Sequence, residues 1–144
     1  MPNWCENRVE IFGEPDEIKA FRNKALKDGK FQFANLIPRP TELDIPSGYF
    51  GDTKKQKDME KKQAENIKKY GHKDWYDWNC ANWGTKWDVE ATENDPEDDV
   101  YILIHFDTAW CPAEEVCHHI RDKFPNLNVS WFYDEPGVGF AGYL

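Results

Sequence analysis

The sequence is poor in the spacings that would hold a metal ion or a disulfide framework. Its four cysteines lie at positions 5, 80, 111 and 117, and no two of them form a Cys-x-x-Cys pair. Zinc sites usually space paired ligands by about two to four residues, whereas five residues separate Cys111 from Cys117, which precedes His118 and His119. We therefore predict no metal site and no disulfide, and no motif in the chain predicts a cofactor.

Long apolar runs are also absent. No segment approaches the roughly 18 consecutive apolar residues of a membrane-spanning helix. The first six residues carry neither the basic region nor the apolar region of a secretory signal. We therefore expect no membrane association and a cytoplasmic location in the host cell.

Positive charge is scarce and unevenly distributed. The chain has 18 Lys and Arg against 27 Asp and Glu, a formal net charge of −9. Affinity for the nucleic-acid backbone comes largely from Lys and Arg, so we expect no direct nucleic-acid binding. Residues 54–69 are the exception: seven lysines against three acids give +4, which leaves −13 for the remainder. Met59, Ile67 and Tyr70 could form a thin apolar stripe there, which predicts a mostly solvated basic helix able to meet an anionic ligand.

Tryptophan, by contrast, is abundant and clustered. Four of the seven tryptophans fall within residues 75–87, interleaved with Asn, Asp, Thr and Lys. A cluster of large rings with a few polar groups is typical of a ligand pocket, although packing of the same rings in the core is the alternative. The predicted ligand-binding residues are Trp75, Trp78, Asn82, Trp83, Thr85, Lys86, Trp87, Asp88 and Trp110.

The hydrophobic periodicity predicts a single α+β domain spanning residues 1–144. Alternation and helical spacing indicate, in order, a strand at 7–12, a helix from Pro15, strands at 86–91 and 100–107, a helix after Pro112, and strands at 128–133 and 139–144. The nearly continuous apolar run at 100–107 is typical of a strand in the middle of a sheet. This order predicts a ferredoxin-like sandwich, a split βαβ arrangement with two helices on one face of an antiparallel sheet.

A long aromatic-rich insertion at 30–84 separates the first helix from the second strand. It is much longer than the loops that usually connect such elements. We expect it to cover the other face of the sheet, with its aromatic end forming a cap or a pocket wall.

Several short motifs, in the same order, resemble the YubB-like ferredoxin-like-domain family. They are Met-Pro-Asn-Trp-Cys-Glu-Asn-Arg-Val at 1–9, Leu-Ile-Pro-Arg-Pro at 36–40, Tyr-Gly at 70–71, Asp-Trp-Tyr at 74–76, Asn-Trp-Gly-Thr-Lys-Trp-Asp at 82–88 and Phe-Asp-Thr-Ala-Trp at 106–110. The resemblance implies the same fold, and it implies an accessory protein of plasmids or phages with no assigned chemistry. Cys111 is a departure, because serine is more usual before this proline.

Three residues are candidates for catalysis. His105 and Asp107 lie two apart on a predicted strand and so share a face, which could also receive Asp88. Cys111 precedes a predicted helix, whose dipole could stabilise a thiolate. The chain carries neither a nucleophile elbow nor an H-E-x-x-H pattern, so a structural histidine and a poor helix cap are the favoured interpretations.

The leading functional hypothesis is a non-catalytic counter-defence protein that sequesters a nucleotide-like small molecule in the Trp-rich pocket. The alternative is an acidic nucleic-acid mimic that inhibits a host nuclease or another host defence protein through Glu93, Asp95, Glu97, Asp98 and Asp99. A small enzyme using His105 and Asp107 is weaker. An RNA-stacking sheet face with Tyr101 and Phe132 ranks last, because the RNP pattern is missing. Self-association into a homo-oligomer is a further alternative.

Overall fold

The nine-residue strand Trp4–Phe12 lies in the middle of the main sheet of this computed structural model, which describes residues 2–47, 51 and 54–144. The strands are β1 Trp4–Phe12, β2 Leu26–Lys27, β3 Lys30–Phe31, β4 Ala91–Thr92, β5 Tyr101–Ala109, β6 Asn128–Glu135 and β7 Phe140–Tyr143. The helices are α1 Pro15–Ala25, α2 Phe33–Leu36, α3 Lys54–Tyr70, α4 Trp75–Asn82 and α5 Glu114–Lys123, with a 3-10 turn at Thr41–Leu43.

The main sheet has the strand order β5-β1-β6-β7 and its strands are antiparallel. Val9 aligns with Ile104 on one side and Trp131 on the other, and all three side chains are buried. Phe21 of α1 and Ile120 of α5 belong to the same core, so both helices pack on this face. The predicted ferredoxin-like α+β fold is confirmed.

The strand predicted for the middle of the sheet, β5, lies instead at its edge. β1 occupies the middle because it pairs with both β5 and β6. Within the described residues, the outer side of β5 meets only an isolated bridge between Glu93 and Ile104. The apolar run was a misleading signal because it reflects burial: Ile102 and Ile104 face the core, and Leu103 on the other face is also partly covered.

The strand predicted at 86–91 is also wrong. Only Ala91–Thr92 is extended, as β4 in a small sheet of order β2-β3-β4. The Asp88 carboxylate accepts hydrogen bonds from the backbone N–H groups of Phe33 (2.6 Å) and Ala34 (3.2 Å). This capping of α2 by Asp88 draws the chain away from a straight strand, and Trp87 is 38% exposed.

The aromatic residues of the insertion pack on the helical side of the sheet. The Phe33 ring lies 5.6 Å from that of Phe106 and 5.9 Å from that of Trp83, measured between ring centroids. On the opposite face, Phe12 is 43% exposed and Tyr143 is 65% exposed. The expectation that the insertion covers this face is therefore wrong, and we call it the open face.

The basic helix α3 packs through polar groups. Its lysines are exposed, as predicted, but so is Ile67, whereas Gln56 and Asn66 are buried. The Asn66 amide donates to the Glu42 and Lys73 carbonyl oxygens at 3.0 and 3.1 Å. The predicted apolar stripe that included Ile67 is wrong, because amide hydrogen bonds hold the helix instead.

Candidate functional site

The tryptophan-rich stretch divides into inward and outward residues. Helix α4 begins at a capping residue, Asp74, whose carboxylate accepts from the Asp77 N–H at 3.0 Å. Trp78 and Trp83 are 7% and 2% exposed and pack edge to face, with ring centroids 5.3 Å apart. The indole N–H of Trp83 donates to the Ile37 carbonyl at 3.0 Å. These two rings are core residues, in agreement with the alternative interpretation of the sequence.

The outward tryptophans line an open pocket of about 450 Å³. Ligand pockets generally span roughly 300–1,000 Å³, so this volume suits a small molecule. We call it the Arg39 pocket; its lining includes Arg39, Asp44, Trp75, Asn79, Trp83, Trp87 and Asp88. Four of these residues, Trp75, Trp83, Trp87 and Asp88, are among the predicted ligand-binding set.

Arg39 is the cation of this pocket and is held in place from several sides. Its guanidinium donates to the Asn79 side-chain oxygen at 3.0 Å and lies 5.9 Å from the Trp83 ring centroid. The Asn79 amide in turn donates to the Lys86 carbonyl at 2.9 Å. Among the described residues, the one carboxylate paired with Arg39 is that of Asp44, at 3.6 Å, and its side chain is 74% exposed. An anionic ligand could therefore replace a weak, solvated partner.

Asp88 contributes a carboxylate to the same pocket. Besides Phe33 and Ala34, it accepts a hydrogen bond from the Val89 N–H at 2.8 Å. Burial raises the pKa of this carboxyl above its ordinary value, and the three N–H donors only partly oppose that effect. The group can therefore fix α2 and still offer an acceptor to a ligand.

Lys86 lies beside the pocket without lining it. Its ammonium is 4.5 Å from the Trp87 ring centroid and 5.7 Å from that of Tyr76. In the part of the chain that the structure describes, it forms no ion pair with a carboxylate. Trp87 therefore already contacts a cation through its ring.

The remaining predicted ligand-binding residues lie elsewhere. Thr85 is buried, and its hydroxyl donates to the Ala109 carbonyl at 3.1 Å. Asn82 donates to the Trp78 carbonyl at 3.0 Å and faces a different cleft, near His118. Trp110 is 51% exposed, has a backbone φ of 71°, and is absent from the lining of the Arg39 pocket. The lysines of α3 are likewise absent from it, so the predicted basic arm does not supply the positive charge of the pocket.

The catalytic candidates His105 and Asp107 share the open face, as predicted. Together with Asp88 they line a second cavity, of about 260 Å³, on the outer side of β5. Among the described residues, no hydrogen bond joins His105 to either carboxylate. The three groups therefore line one cavity, but within the described residues no two of them form a hydrogen-bonded acid–base pair.

Cys111 does not have the properties of an activated thiol. Burial raises its pKa, with a smaller contribution from the nearby Cys80, and its Sγ donates to the Gly84 carbonyl at 3.2 Å. Helix α5 begins three residues later, at Glu114. Desolvation therefore favours the poor helix cap over a stabilised thiolate at this position.

The acidic turn proposed as a partner surface uses much of its charge internally. Glu93 forms an ion pair with Arg22, with an N–O distance of 2.8 Å. The Asp95 and Asp98 carboxylates accept backbone N–H groups two residues further along, at 3.1 and 2.9 Å. Glu97 and Asp99 are exposed or partly exposed without an ion pair in the described part of the chain.

Arg39 and Asn79, which are joined by a hydrogen bond in the Arg39 pocket, were not predicted from the sequence, and neither was Asp44. Arg39 lies in the Leu-Ile-Pro-Arg-Pro motif, and Asn79 lies in the middle of the tryptophan-rich stretch. The signal that could have identified Arg39 and Asn79 was an arginine within a motif together with an amide side chain within an aromatic cluster. Their separation of 40 positions in the sequence hid the contact.

The fold and the site define a ferredoxin-like α+β protein with an open aromatic pocket beside its sheet. Residues 82–144 match the family model described as "Ferredoxin-like domain in Api92-like protein". This segment supplies β4 to β7 and α5, whereas the central strand β1 lies outside it.

The chain is also similar in structure to a protein api92 from Yersinia pseudotuberculosis, known from a crystal structure. The TM-score is 0.56 at 11% sequence identity, over 99% of this chain and 93% of that chain. At this identity the likeness shows the fold. No curated protein matches the chain.

Among residues 2–47, 51 and 54–144, no group of three or more His, Cys, Asp or Glu side chains is arranged to hold a metal ion. Within the same residues, no helix combines the length and the apolar character needed to cross a membrane.

Proposed function

We propose that the chain is a non-catalytic binding protein that sequesters a nucleotide-like small molecule in the Arg39 pocket. The observation that carries this proposal is the position of Arg39, held between Asn79 and Trp83 in a pocket that Trp75 and Trp87 also line. An indole face stacks on a flat heterocycle, and a guanidinium forms paired hydrogen bonds with a phosphate. The pocket therefore offers the two kinds of contact that a nucleotide needs.

The resemblance to YubB-like proteins supports a role for this pocket in a mobile genetic element. Three of the motifs that carry the resemblance contribute pocket residues: Arg39, Trp75 and Trp87. We propose an accessory protein of a plasmid or phage that acts in the host cytoplasm and withholds a nucleotide-like signal of host defence.

Native mass spectrometry before and after incubation with a bacterial nucleotide extract tests the proposal. We expect a retained adduct of several hundred daltons on the wild-type protein, and a higher melting temperature in the presence of the isolated ligand. A ligand at about 100 times its Kd stabilises the native state by roughly 2.7 kcal/mol.

Matched variants locate the adduct. Trp87→Ala and Arg39→Gln should lose it, whereas Trp110→Ala, which removes another exposed tryptophan from outside the pocket, should keep it. An unmodified wild-type mass throughout would reject the proposal. Equal loss of the adduct in the Trp87 and Trp110 variants would reject this location.

A further inference from the structure

The cavity of about 260 Å³ on the outer side of β5 has two exposed tryptophans in its wall. We call it the Trp4 cavity. The rings of Trp4 and Trp87 are 6.1 Å apart between centroids and inclined at 35°, and they are 45% and 38% exposed. Exposed neighbouring indoles at the mouth of a cavity are typical of a binding surface.

The charge of this cavity is negative. Asp88, Glu90 and Asp107 all line it, and none of the described residues in its lining is Lys or Arg. Glu90 and Asp107 form no hydrogen bond or ion pair through their side chains within the described part of the chain. Indole faces combined with unpaired carboxylates favour an organic cation.

The negative charge continues from the cavity across the open face. The strand register aligns Glu6 of β1 with Asp107 of β5 and with Asp134 of β6. Like charges directly opposite each other on a sheet are destabilising, and no ion pair neutralises this carboxylate row among the described residues. Arg8, two residues along β1, is paired with Glu10 at 3.3 Å and lies over another aromatic ring.

This surface suits a basic partner better than the acidic turn does. In the turn, Glu93 is already paired with Arg22, and the Asp95 and Asp98 carboxylates hold backbone N–H groups. Within the part of the chain that the structure describes, the carboxylate row has no such partners, and it lies beside two exposed indoles.

We propose that the Trp4 cavity binds an arginine side chain of a basic protein segment, and that the carboxylate row receives further cations of the same segment. A planar guanidinium stacks on an indole and pairs with a carboxylate through two hydrogen bonds. The row extends beyond the cavity to Glu6 and Asp134, so the occupant carries several cations in series, as an arginine-rich polypeptide does. This site differs from the nucleotide-binding pocket because Trp4, Glu90 and Asp107 do not line the Arg39 pocket, although Trp87 and Asp88 contribute to the walls of both.

Calorimetric titration with a synthetic hexapeptide of alternating Arg and Gly, at low ionic strength, tests the inference. We expect saturable binding that Trp4→Ala and Asp107→Asn each weaken by about fivefold or more. Trp4 and Asp107 are both exposed, so these variants should fold as the wild type does. An intact melting transition for each variant checks this.

Three matched controls make the result specific. Glu97→Gln changes the net charge as Asp107→Asn does but lies on the acidic turn, and Trp110→Ala removes an exposed indole from outside the cavity; both should bind within twofold of the wild type. Arg39→Gln should also bind normally, which separates this site from the Arg39 pocket. A loss in Glu97→Gln equal to that in Asp107→Asn would overturn the proposal, because it would show binding by overall charge alone. Arginine amide binding as tightly as the peptide would overturn the assignment to a polypeptide.

Discussion

Trp78 and Trp83 lie within a few residues of Trp75 and Trp87, yet the two pairs end in opposite environments. The first pair is buried in the core, although Trp83 also contributes to the wall of the Arg39 pocket, whereas the second pair lines that pocket with exposed or half-exposed rings. The difference arises from the backbone: α4 turns one face to the core, and Gly84, at a φ of 82°, reverses the chain before Trp87. In this stretch, the residue type therefore does not show whether a tryptophan lies in the core or in the pocket. Its position relative to α4 and Gly84 decides this.

Trp83→Ala should have the largest effect on stability. It removes a buried ring in contact with Phe33 and Trp78, and it leaves the Ile37 carbonyl without its donor. We expect the free energy of unfolding to fall by about 3–5 kcal/mol, as for other buried aromatic truncations. Chemical denaturation should show a lower midpoint with an unchanged slope.

Trp87→Ala is the matched control for that substitution. Its ring is partly exposed, so we expect the free energy of unfolding to fall by less than about 1 kcal/mol. Similar losses in the two variants would contradict the division into inward and outward tryptophans.

Gly84→Ala tests the point at which the chain changes direction. A Cβ at this residue would lie 3.0 Å from the backbone nitrogens of both Glu114 and Glu115, at the start of α5. The positive φ adds a penalty of about 1–3 kcal/mol for a residue other than glycine. We expect this variant to be destabilised by both effects in thermal or chemical unfolding.

Gly71→Ala isolates the conformational part of that penalty. Gly71 has a similar φ, 79°, but a Cβ there would meet no atom within 4 Å. The loss in Gly84→Ala should therefore exceed the loss in Gly71→Ala. Equal losses would show that the close approach of Gly84 to α5 is unimportant.

The sequence predicted the fold because the fold depends on local periodicity. Alternation in β1 and helical spacing in α1 and α5 fix which side chains face the core, and a single arrangement of these elements buries them together. The edge position of β5 could not be predicted in this way, because an apolar run reports burial and not the number of hydrogen-bonded neighbours.

The candidate site was predicted less completely because its contacts join distant segments. Arg39 reaches Asn79 from 40 residues away, and Asp88 reaches Phe33 from 55 residues away. The second contact also converted a predicted strand into an irregular segment. Aromatic density located the right region, but the cation and the amide of the pocket became visible only with the tertiary structure.

Asp88→Asn should have the smallest effect on stability, and this effect should depend on pH. Burial raises the pKa of Asp88 in the folded protein above its ordinary value of 3.8. Just above that value, the folded protein retains a proton that the unfolded chain releases. The contribution of this group to stability is therefore fully present below the ordinary pKa and is lost as the pH rises through the raised pKa.

The free energy of unfolding of the wild type and of Asp88→Asn, measured from acid to neutral pH, tests this sign. The variant cannot ionise, so the wild type should lose stability relative to it as the pH rises. Glu97→Gln, which neutralises an exposed carboxylate of the acidic turn away from this pocket, is the control for the change in net charge. If the wild type instead gains relative stability with pH, the N–H groups of Phe33, Ala34 and Val89 outweigh burial. Asp88 would then be an ionised carboxylate that anchors α2. It would not tend to hold a proton in the Arg39 pocket.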